Sequence, residues 1–295
     1  MEKYITIDIG GTAIKYGILN ENEEFLCRYN MKTEASKGGK SILQKVLGIV
    51  RELKSDDIKG VCISTAGMVN TETGAIFYSA PLIPEYAGIN YKETIEAEMG
   101  LPCEVENDVN CAGLAESTSG AAAGSSIALM LTIGTGIGGS IVVDGDVFRG
   151  FSGSACEVGY MHMAGGDFQT LGAASILSRK VSEWKNESQE VWNGYHIFKE
   201  AKKGDVLCNK AIDEMVDVLG QGIANICYVV NPQVVVLGGG IMAQEEFLKE
   251  KIESAVKHYL VPGIAEHTSI AFAKYQNDAG MLGAYYHFLK MQKKR

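Results

Sequence analysis

Proline is scarce in this chain, five in 295 residues, and tryptophan scarcer still at two. With 46% of residues hydrophobic, that scarcity excludes an intrinsically disordered chain. No stretch of five or six like charges occurs; the nearest is Lys293-Lys294-Arg295. Basic residues number 27 against 36 acidic, for a formal net charge of -9. Such a balance lacks the basic surface that nucleic acid backbones require. Long apolar runs are also missing. Those at 127–133 and 228–237 are too short, or too interrupted by Asn231 and Pro232, to span a bilayer. Met1-Glu2-Lys3-Tyr4 lacks a signal peptide's charged-then-apolar form. The expectation is a soluble cytoplasmic protein with neither nucleic acid nor membrane as partner. The seven cysteines (Cys27, Cys62, Cys103, Cys111, Cys156, Cys208 and Cys227) are scattered and include no C-x-x-C pair. A zinc knuckle or redox pair is not expected, and buried reduced thiols are.

Glycine runs the other way. It occurs 35 times, roughly 12% against about 7% in soluble proteins, or about 14 residues above average usage. Without a G-X-Y period the excess is not collagen-like. It belongs to a folded protein whose length suits one large or two ordinary domains.

Periodicity predicts strands over Tyr4–Asp8, Ala13–Leu19 and Glu24–Met31. Apolar residues at helical spacing (Ile42, Leu43, Val46, Leu47, Val50) predict a helix over 40–54. A buried strand Gly60–Ser64, a helix over 90–99, a strand Cys103–Glu106 and a helix over 109–119 follow. The Gly/Ala/Ser-rich stretch Ser117–Ser126 reads as a hinge or domain boundary. The opening theme then returns: strand Ile127–Ile133, a turn Gly134-Thr135-Gly136-Ile137-Gly138-Gly139, strand Ser140–Val143 and a hairpin turn at Asp144-Gly145-Asp146. A helix over 205–229, a strand Val234–Leu237, a helix over 243–259, a strand over 268–272 and a helix over 279–293 complete the pattern. The repetition predicts two similar α/β domains with a cleft between them, one of residues 1–118 plus 280–295 and one of residues 119–279.

Gly39-Lys40-Ser41 ends like a P-loop, but Glu34 occupies the leading glycine position and no strong strand precedes it. Gly134, Gly136 and Gly139 fit the letters of a dinucleotide fingerprint, yet a β run follows where a helix is required. Gly238-x-Gly240-x-x-Ala243 does sit between a strand and a helix, but leaves only about 50 residues for the rest of a sheet domain. What remains is phosphate held by β-hairpin turns. In Asp8-Ile9-Gly10-Gly11-Thr12, glycines free to take positive φ would let backbone N–H groups reach phosphate oxygens. Asp8 would hold Mg²⁺ directly or through water. The simpler reading is a tight turn with a capping Asp. A second turn at Gly134-Thr135-Gly136 and the triplet Gly238-Gly239-Gly240 weigh against it.

With these motifs in this order, from residue 8 to about 243, the chain resembles the ROK family of sugar kinases, within the superfamily that hexokinase shares with actin and the heat-shock ATPases. The resemblance implies two actin/ribonuclease-H-like α/β domains around a cleft. Asp8-Ile9-Gly10-Gly11-Thr12 resembles the first phosphate motif, with Lys15 where the family often has a basic residue. Gly134-Thr135-Gly136 opens the second phosphate motif, and Gly238-Gly239-Gly240 lies in the adenosine motif. Nine glycines in these loops would absorb more than half of the excess.

For Glu106-Asn107-Asp108-Val109-Asn110 the plain reading is a helix N-cap. The resemblance makes Asp108 the general base and Asn107 a sugar-hydroxyl ligand. The chemistry needs such a base, because a sugar hydroxyl must lose its proton as it attacks the γ-phosphate. Glu157 matches the glutamate that holds ring hydroxyls, and Gly67 lies where the family has a glycine turn beside the sugar. Zinc-containing members have a His where this chain has Tyr160, followed by a cysteine cluster; here no cysteine lies between Cys156 and Cys208. One nearby His162 lacks the ligand set, so structural zinc is not expected. The stretch Phe168-Gln169-Thr170-Leu171 resembles a zinc-free branch with Trp-Glu there, as in β-glucoside and N-acetylmannosamine kinases. Gln169 would replace a sugar-binding Glu, adding a donor to a pure acceptor. The substrate would be glucose, an N-acylhexosamine or a β-glucoside, with ATP and Mg²⁺ as co-substrate and cofactor and a homodimer as the implied assembly. Two other classes compete: a sugar-responsive repressor, disfavoured by charge and by a first motif at residue 8, and a catalytically silent sugar- or nucleotide-binding protein.

Overall fold

The structure, a computed structural model, describes residues 1–79 and 83–294 and divides into two units, each built on a five-stranded mixed sheet. Unit 1 comprises Met1–Thr118, Arg149–Ala155 and Asn277–Arg295; unit 2 comprises Ser119–Phe148 and Cys156–Gln276.

Unit 1 opens with an antiparallel meander, β1 (Lys3–Ile9), β2 (Ala13–Asn20) and β3 (Phe25–Lys32). Helix α1 (Gly39–Leu53) crosses to β4 (Ile58–Thr65), which pairs parallel to β1. A small hairpin, β5 (Met68–Asn70) and β6 (Ala75–Tyr78), precedes α2 (Tyr91–Met99) and β7 (Cys103–Asn107), and α3 (Asp108–Ser119) follows directly. The sheet order is β3-β2-β1-β4-β7. Along β1 the period of two divides the faces. Ile5, Ile7 and Ile9 join α1 and α2 in one core through Ile42, Val46, Leu47, Tyr91 and Ile95.

Unit 2 repeats this order. β8 (Ile127–Ile133), β9 (Ile137–Val143) and β10 (Asp146–Val147) form the meander, and Asp144 and Gly145, at φ 49° and 80°, make the expected tight hairpin turn. After a short pair, β11 (His162–Met163) with β12 (Gly166–Asp167), come helices α4 (Phe168–Gly172), α5 (Ala174–Lys185), α6 (Gly194–Ala201) and α7 (Val206–Val230). Strand β13 (Val234–Gly238) lies parallel to β8; α8 (Glu245–Tyr259) and α9 (Pro262–Ala265) lead to β14 (Ser269–Phe272), giving the order β10-β9-β8-β13-β14. Strand β9 starts inside the stretch read as one long glycine turn. Gly138 and Gly139 pair with Thr132 and Leu131, and a Cβ at Gly139 would lie 2.7 Å from the Cys156 carbonyl oxygen. Gly139 therefore serves a close backbone approach on a strand.

The last helix, α10 (Ala279–Lys294), returns to unit 1 and covers the second face of its sheet, where Tyr285 and Phe288 stack on Tyr4. The segment Arg149–Ala155 joins unit 1 through Arg149, which pairs with Glu106 at the end of β7. All seven cysteines are free thiols; Cys27 and Cys156 are half-buried and the other five buried. Among the described residues no helix is long and apolar enough to cross a membrane.

Gly283 of α10 packs on the Cys111 carbonyl of α3 with no room for a Cβ, whereas exposed Gly48 of α1 has nothing within 4 Å of that position. Gly283→Ala is expected to destabilise unit 1 by about 1–3 kcal/mol. Gly48→Ala is expected to stabilise it by about 0.5–1 kcal/mol. Urea unfolding of the two variants, compared in one buffer, checks both signs.

Candidate active site

The parallel strands of unit 1 end with polar side chains at their carboxyl ends, where ligands of open α/β sheets bind. Asp8 comes from β1, Ser64 and Thr65 from β4, and Asn107 from β7. Asp8 faces Ser64 and Lys15 in register across the sheet. Ser64 Oγ donates to Asp8 Oδ1 at 2.7 Å, and Lys15 Nζ stands 3.8 Å from Asp8 Oδ2. From α10, Gly280 lies so close that a Cβ would meet Asp8 Oδ1 at 2.5 Å. Desolvation raises the Asp8 carboxyl above its ordinary range, against the opposing pull of Ser64 and Lys15. Gly10, Gly11 and Thr12 form the β1–β2 turn beyond it, closed by Gly10 N–H to the Ala13 carbonyl at 3.0 Å and steadied by Thr33 Oγ1 on the Gly10 carbonyl at 2.6 Å.

Asn107 and Asp108 sit at the junction of β7 and α3. The N-cap reading is correct for Asn107, whose Oδ1 accepts from the backbone N–H of Val109 and Asn110 at 2.9 and 3.1 Å. Its Nδ2 donates to the Gly67 carbonyl at 2.9 Å and to Asp108 Oδ1 at 3.0 Å, while Asp108 Oδ1 also accepts the Val109 N–H at 2.9 Å. Both amide donors and the amide oxygen of Asn107 are thus engaged, so its geometry orients the Asp108 carboxylate. Gly67 has φ 96° and joins β4 to the β5–β6 hairpin. Behind this loop, Thr65 Oγ1, Tyr86 Oη and Tyr91 Oη form a buried hydroxyl chain with spacings of 2.6 and 3.0 Å. Burial pushes the Tyr86 phenol up to about 12, with the Asp108 charge adding to the shift.

In unit 2 the Gly134–Gly136 loop is closed by Gly134 N–H to the Gly136 carbonyl at 2.9 Å. The start of α5 buttresses it, through Ala174 N–H to the Gly134 carbonyl and Ser175 Oγ to the Thr135 carbonyl, both at 2.9 Å. Gln169, on α4, lies against the same loop: its Oε1 is 2.7 Å from where a Gly136 Cβ would be and 3.0 Å from that of Gly159. Gly159 belongs to the turn carrying Glu157 and Tyr160, so loop, turn and Gln169 form one cluster. Glu157 is exposed, yet enough protein surrounds its carboxyl that desolvation raises it above the ordinary range. Tyr160 also stands exposed, and His162 Nδ1 pairs with Asp167 Oδ1 at 2.8 Å. Gly134 and Gly240 meet in a cavity of about 230 Å³, lined also by Ala174, Tyr195, Phe198 and Ile241. Gly238 and Gly239 lie under it, packed on β8; Gly239, at φ 103°, leaves no room for a Cβ beside the Ile133 carbonyl.

One expectation fails in detail. Gly10, Gly134 and Gly136 do not use positive φ; among the three motifs' glycines with this geometry described, Gly239 does. At Gly134 a Cβ position is open for 4 Å around, so the glycine leaves the loop backbone uncovered without bending it. Three residues with no sequence signal of their own support the site: Ser64, Tyr86 and, above all, Arg149, whose partner Glu106 is far away in the chain.

Several proteins similar to this chain are named as sugar kinases or were solved with a bound sugar. A β-glucoside kinase of Listeria monocytogenes is 33% identical over 296 residues, covering 98% of both chains. A glucokinase of Streptomyces griseus, solved with glucose and AMPPNP, is 25% identical with a TM-score of 0.83, covering 96% of this chain and 97% of its own. A ROK family protein of Streptococcus pneumoniae, solved in complex with sucrose, is 31% identical with a TM-score of 0.86, covering 99% of this chain and 100% of its own. The ROK family profile itself matches residues 4–291, nearly end to end, and the chain belongs to the ROK family.

Proposed function

We propose that this protein is an ATP-dependent sugar kinase that phosphorylates a hexose or hexose derivative at its 6-hydroxyl. The observation that carries the reading is the Asp108 carboxylate, oriented by Asn107 and the α3 amide groups before any substrate is present. Phosphoryl transfer is catalysed by positioning and electrostatics. Asp108 accepts the proton of the attacking hydroxyl, and because Oδ1 is held at two points, the carboxylate does not have to be ordered during the reaction. Asn107 can reach a sugar hydroxyl by exchanging its bond to Gly67, which would couple sugar binding to the β5–β6 hairpin. Glu157 and Gln169 hold ring hydroxyls, Gln169 as acceptor and donor, and Tyr160 lies beside them on the Glu157 turn.

The Gly10–Thr12 and Gly134–Gly136 turns offer backbone N–H groups to phosphate oxygens, and Lys15 adds a cation beside Asp8. The cavity joining Gly134 to Gly240 suits the adenine end of ATP. Among the described residues no three His, Cys, Asp or Glu side chains come together as a metal cluster. The underpaired Asp8 carboxylate therefore fits a cation that takes its remaining ligands from phosphate and water, as Mg²⁺ does. When bound, Mg²⁺ neutralises charge developing on the phosphate oxygens. Among the relatives a β-glucoside kinase and a sucrose complex support a substituted sugar, and a glucokinase solved with glucose supports free glucose. The full-length likeness to kinases outweighs a silent binder. A cytoplasmic homodimer, as the family resemblance implies, completes the proposal.

Asp108→Asn is expected to keep sugar affinity and to lower kcat by about 10²–10⁴-fold; sugar titration beside a coupled ADP assay separates the two, and near-normal turnover defeats the assignment. Asp8 gives a second test. Its raised carboxyl means that the folded chain holds this proton more tightly than the unfolded chain does. That contribution is complete below the unfolded-state pKa and is lost as pH rises through the folded-state value. At pH 7, Asp8→Asn is expected to raise the unfolding midpoint while turnover falls, and the stability gain should disappear at acid pH. A variant less stable than the parent at pH 7 contradicts the burial account.

A further inference from the structure

Three aromatic residues of unit 1 stand open to solvent on the two segments that hold Asn107 and Glu106: Phe77 at 44%, Tyr78 at 47% and Phe151 at 109% relative exposure. In the β5–β6 hairpin Met68 pairs with Tyr78 and Val69 with Ile76, so Phe77 is the extra residue of a β-bulge. A bulge re-aims side chains. Here it turns two successive rings outward while Ile76 stays buried. The hairpin is tied to the candidate sugar site, since Gly67 accepts from Asn107 and a Gly67 Cβ would lie 2.9 Å from the Tyr78 carbonyl oxygen. Phe151 rides on Arg149–Ala155, anchored through Arg149 to Glu106, the residue before Asn107. Gly153 of that segment lies against the Phe77 ring, its Cβ position 3.6 Å from Cε1.

We propose that Phe77, Tyr78 and Phe151 form an aglycone subsite, which takes the second ring of a β-glucoside whose first ring presents its 6-hydroxyl to Asp108. The inference rests on the phosphotransfer reading above and selects one substrate class within it. In β-glucopyranose the hydroxyls are equatorial, leaving axial C–H groups on both faces, and such faces, like aryl groups, settle on aromatic rings. C1 and C5 flank the ring oxygen, and their equatorial substituents diverge, so a group on C1 points away from the C6 hydroxyl that Asp108 would address. Beyond Arg149, which is paired with Glu106, the segment Gly150-Phe151-Ser152-Gly153-Ser154-Ala155 carries no ionisable side chain. It suits a neutral aglycone and offers nothing to a phosphorylated one. Exposed aromatic side chains on the segments that frame a site are candidates for ligand contact.

The test is ATP-consumption kinetics of the full chain on glucose, N-acetylmannosamine, cellobiose and phenyl β-glucoside. Cellobiose, phenyl β-glucoside or both should be used with a higher kcat/KM than glucose, and the arm that responds names the aglycone as pyranose or aryl. Phe151→Ala and Phe77→Ala should each lower the β-glucoside-to-glucose ratio by about fivefold, mainly through KM. Phe151→Trp should retain the ratio, and full exposure of Phe151 makes these variants foldable. A kinase that prefers N-acetylmannosamine, or whose ratio is unchanged in both alanine variants, overturns the subsite and leaves the kinase reading intact. Absence of any sugar-dependent ADP release overturns the kinase reading, and the subsite falls with it.

Discussion

Unit 1 depends on one buried carboxylate. Glu106, 1% exposed at the end of β7, must satisfy both oxygens away from water, since an unpaired charge there would be strongly destabilising. Oε1 accepts from the Asn107 N–H at 2.8 Å and from Asn110 Nδ2 at 3.1 Å; Oε2 accepts from Arg149 Nε at 2.9 Å and from its Nη2. These donors come from the active-site junction, from α3 and from the Arg149–Ala155 segment. Pairing one charge therefore fixes three pieces of chain around Asp108. His287 of α10 closes the arrangement as a neutral group. Burial lowers its pKa to about 4, with the Arg149 cation helping and the Glu106 charge opposing. Arg149 can only donate, so a hydrogen bond from its Nη2, 3.5 Å away, would be accepted by His287 Nδ1.

Asp8 shows the opposite economy of bonding. It too is largely surrounded by protein, but its partners are a serine hydroxyl and a lysine at 3.8 Å, and its carboxyl is held above the ordinary range. A carboxylate filled by a bidentate Arg is finished as a structural element. One left short of partners retains attraction for a cation that the protein does not itself supply. Proteins break local satisfaction at functional sites and compensate elsewhere; here Glu106 supplies the rigidity, and Asp8 carries the unsatisfied charge.

The alternation of strands and helices was readable because each signal is local. The period of two in Tyr4–Ile9, the helical spacing in α1 and the return of a glycine turn after Ile133 need no tertiary information. The β5–β6 hairpin was not readable: its strands are short, and the bulge at Phe77 breaks the alternation that would have announced it. Helices α5 and α6 follow the segment that carries Gln169, and they bury Ile176, Leu177, Val181, Ile197 and Phe198. At the site, Asp8 draws notice as a strand-end carboxylate before a glycine turn, whereas Asn107 and Asp108 read as an N-cap and take a proposed role only from the family resemblance. Arg149 could not be found, because its role exists only through Glu106, 43 positions earlier.

Glycine makes the same point more sharply. Its excess suggested loops bent by positive φ, and Gly10, Gly134 and Gly136 lie in such loops without using it. Elsewhere the missing Cβ admits a neighbour: Gly280 makes room for the Asp8 carboxylate, Gly283 for the Cys111 carbonyl, and Gly239 for β8. Composition cannot distinguish a glycine that bends the chain from one that only clears space, because both are the same letter. The open volume around Gly134 separates them. At Gly134 no protein atom would meet a side chain, so the missing Cβ clears no neighbour and only leaves the loop backbone uncovered on that side.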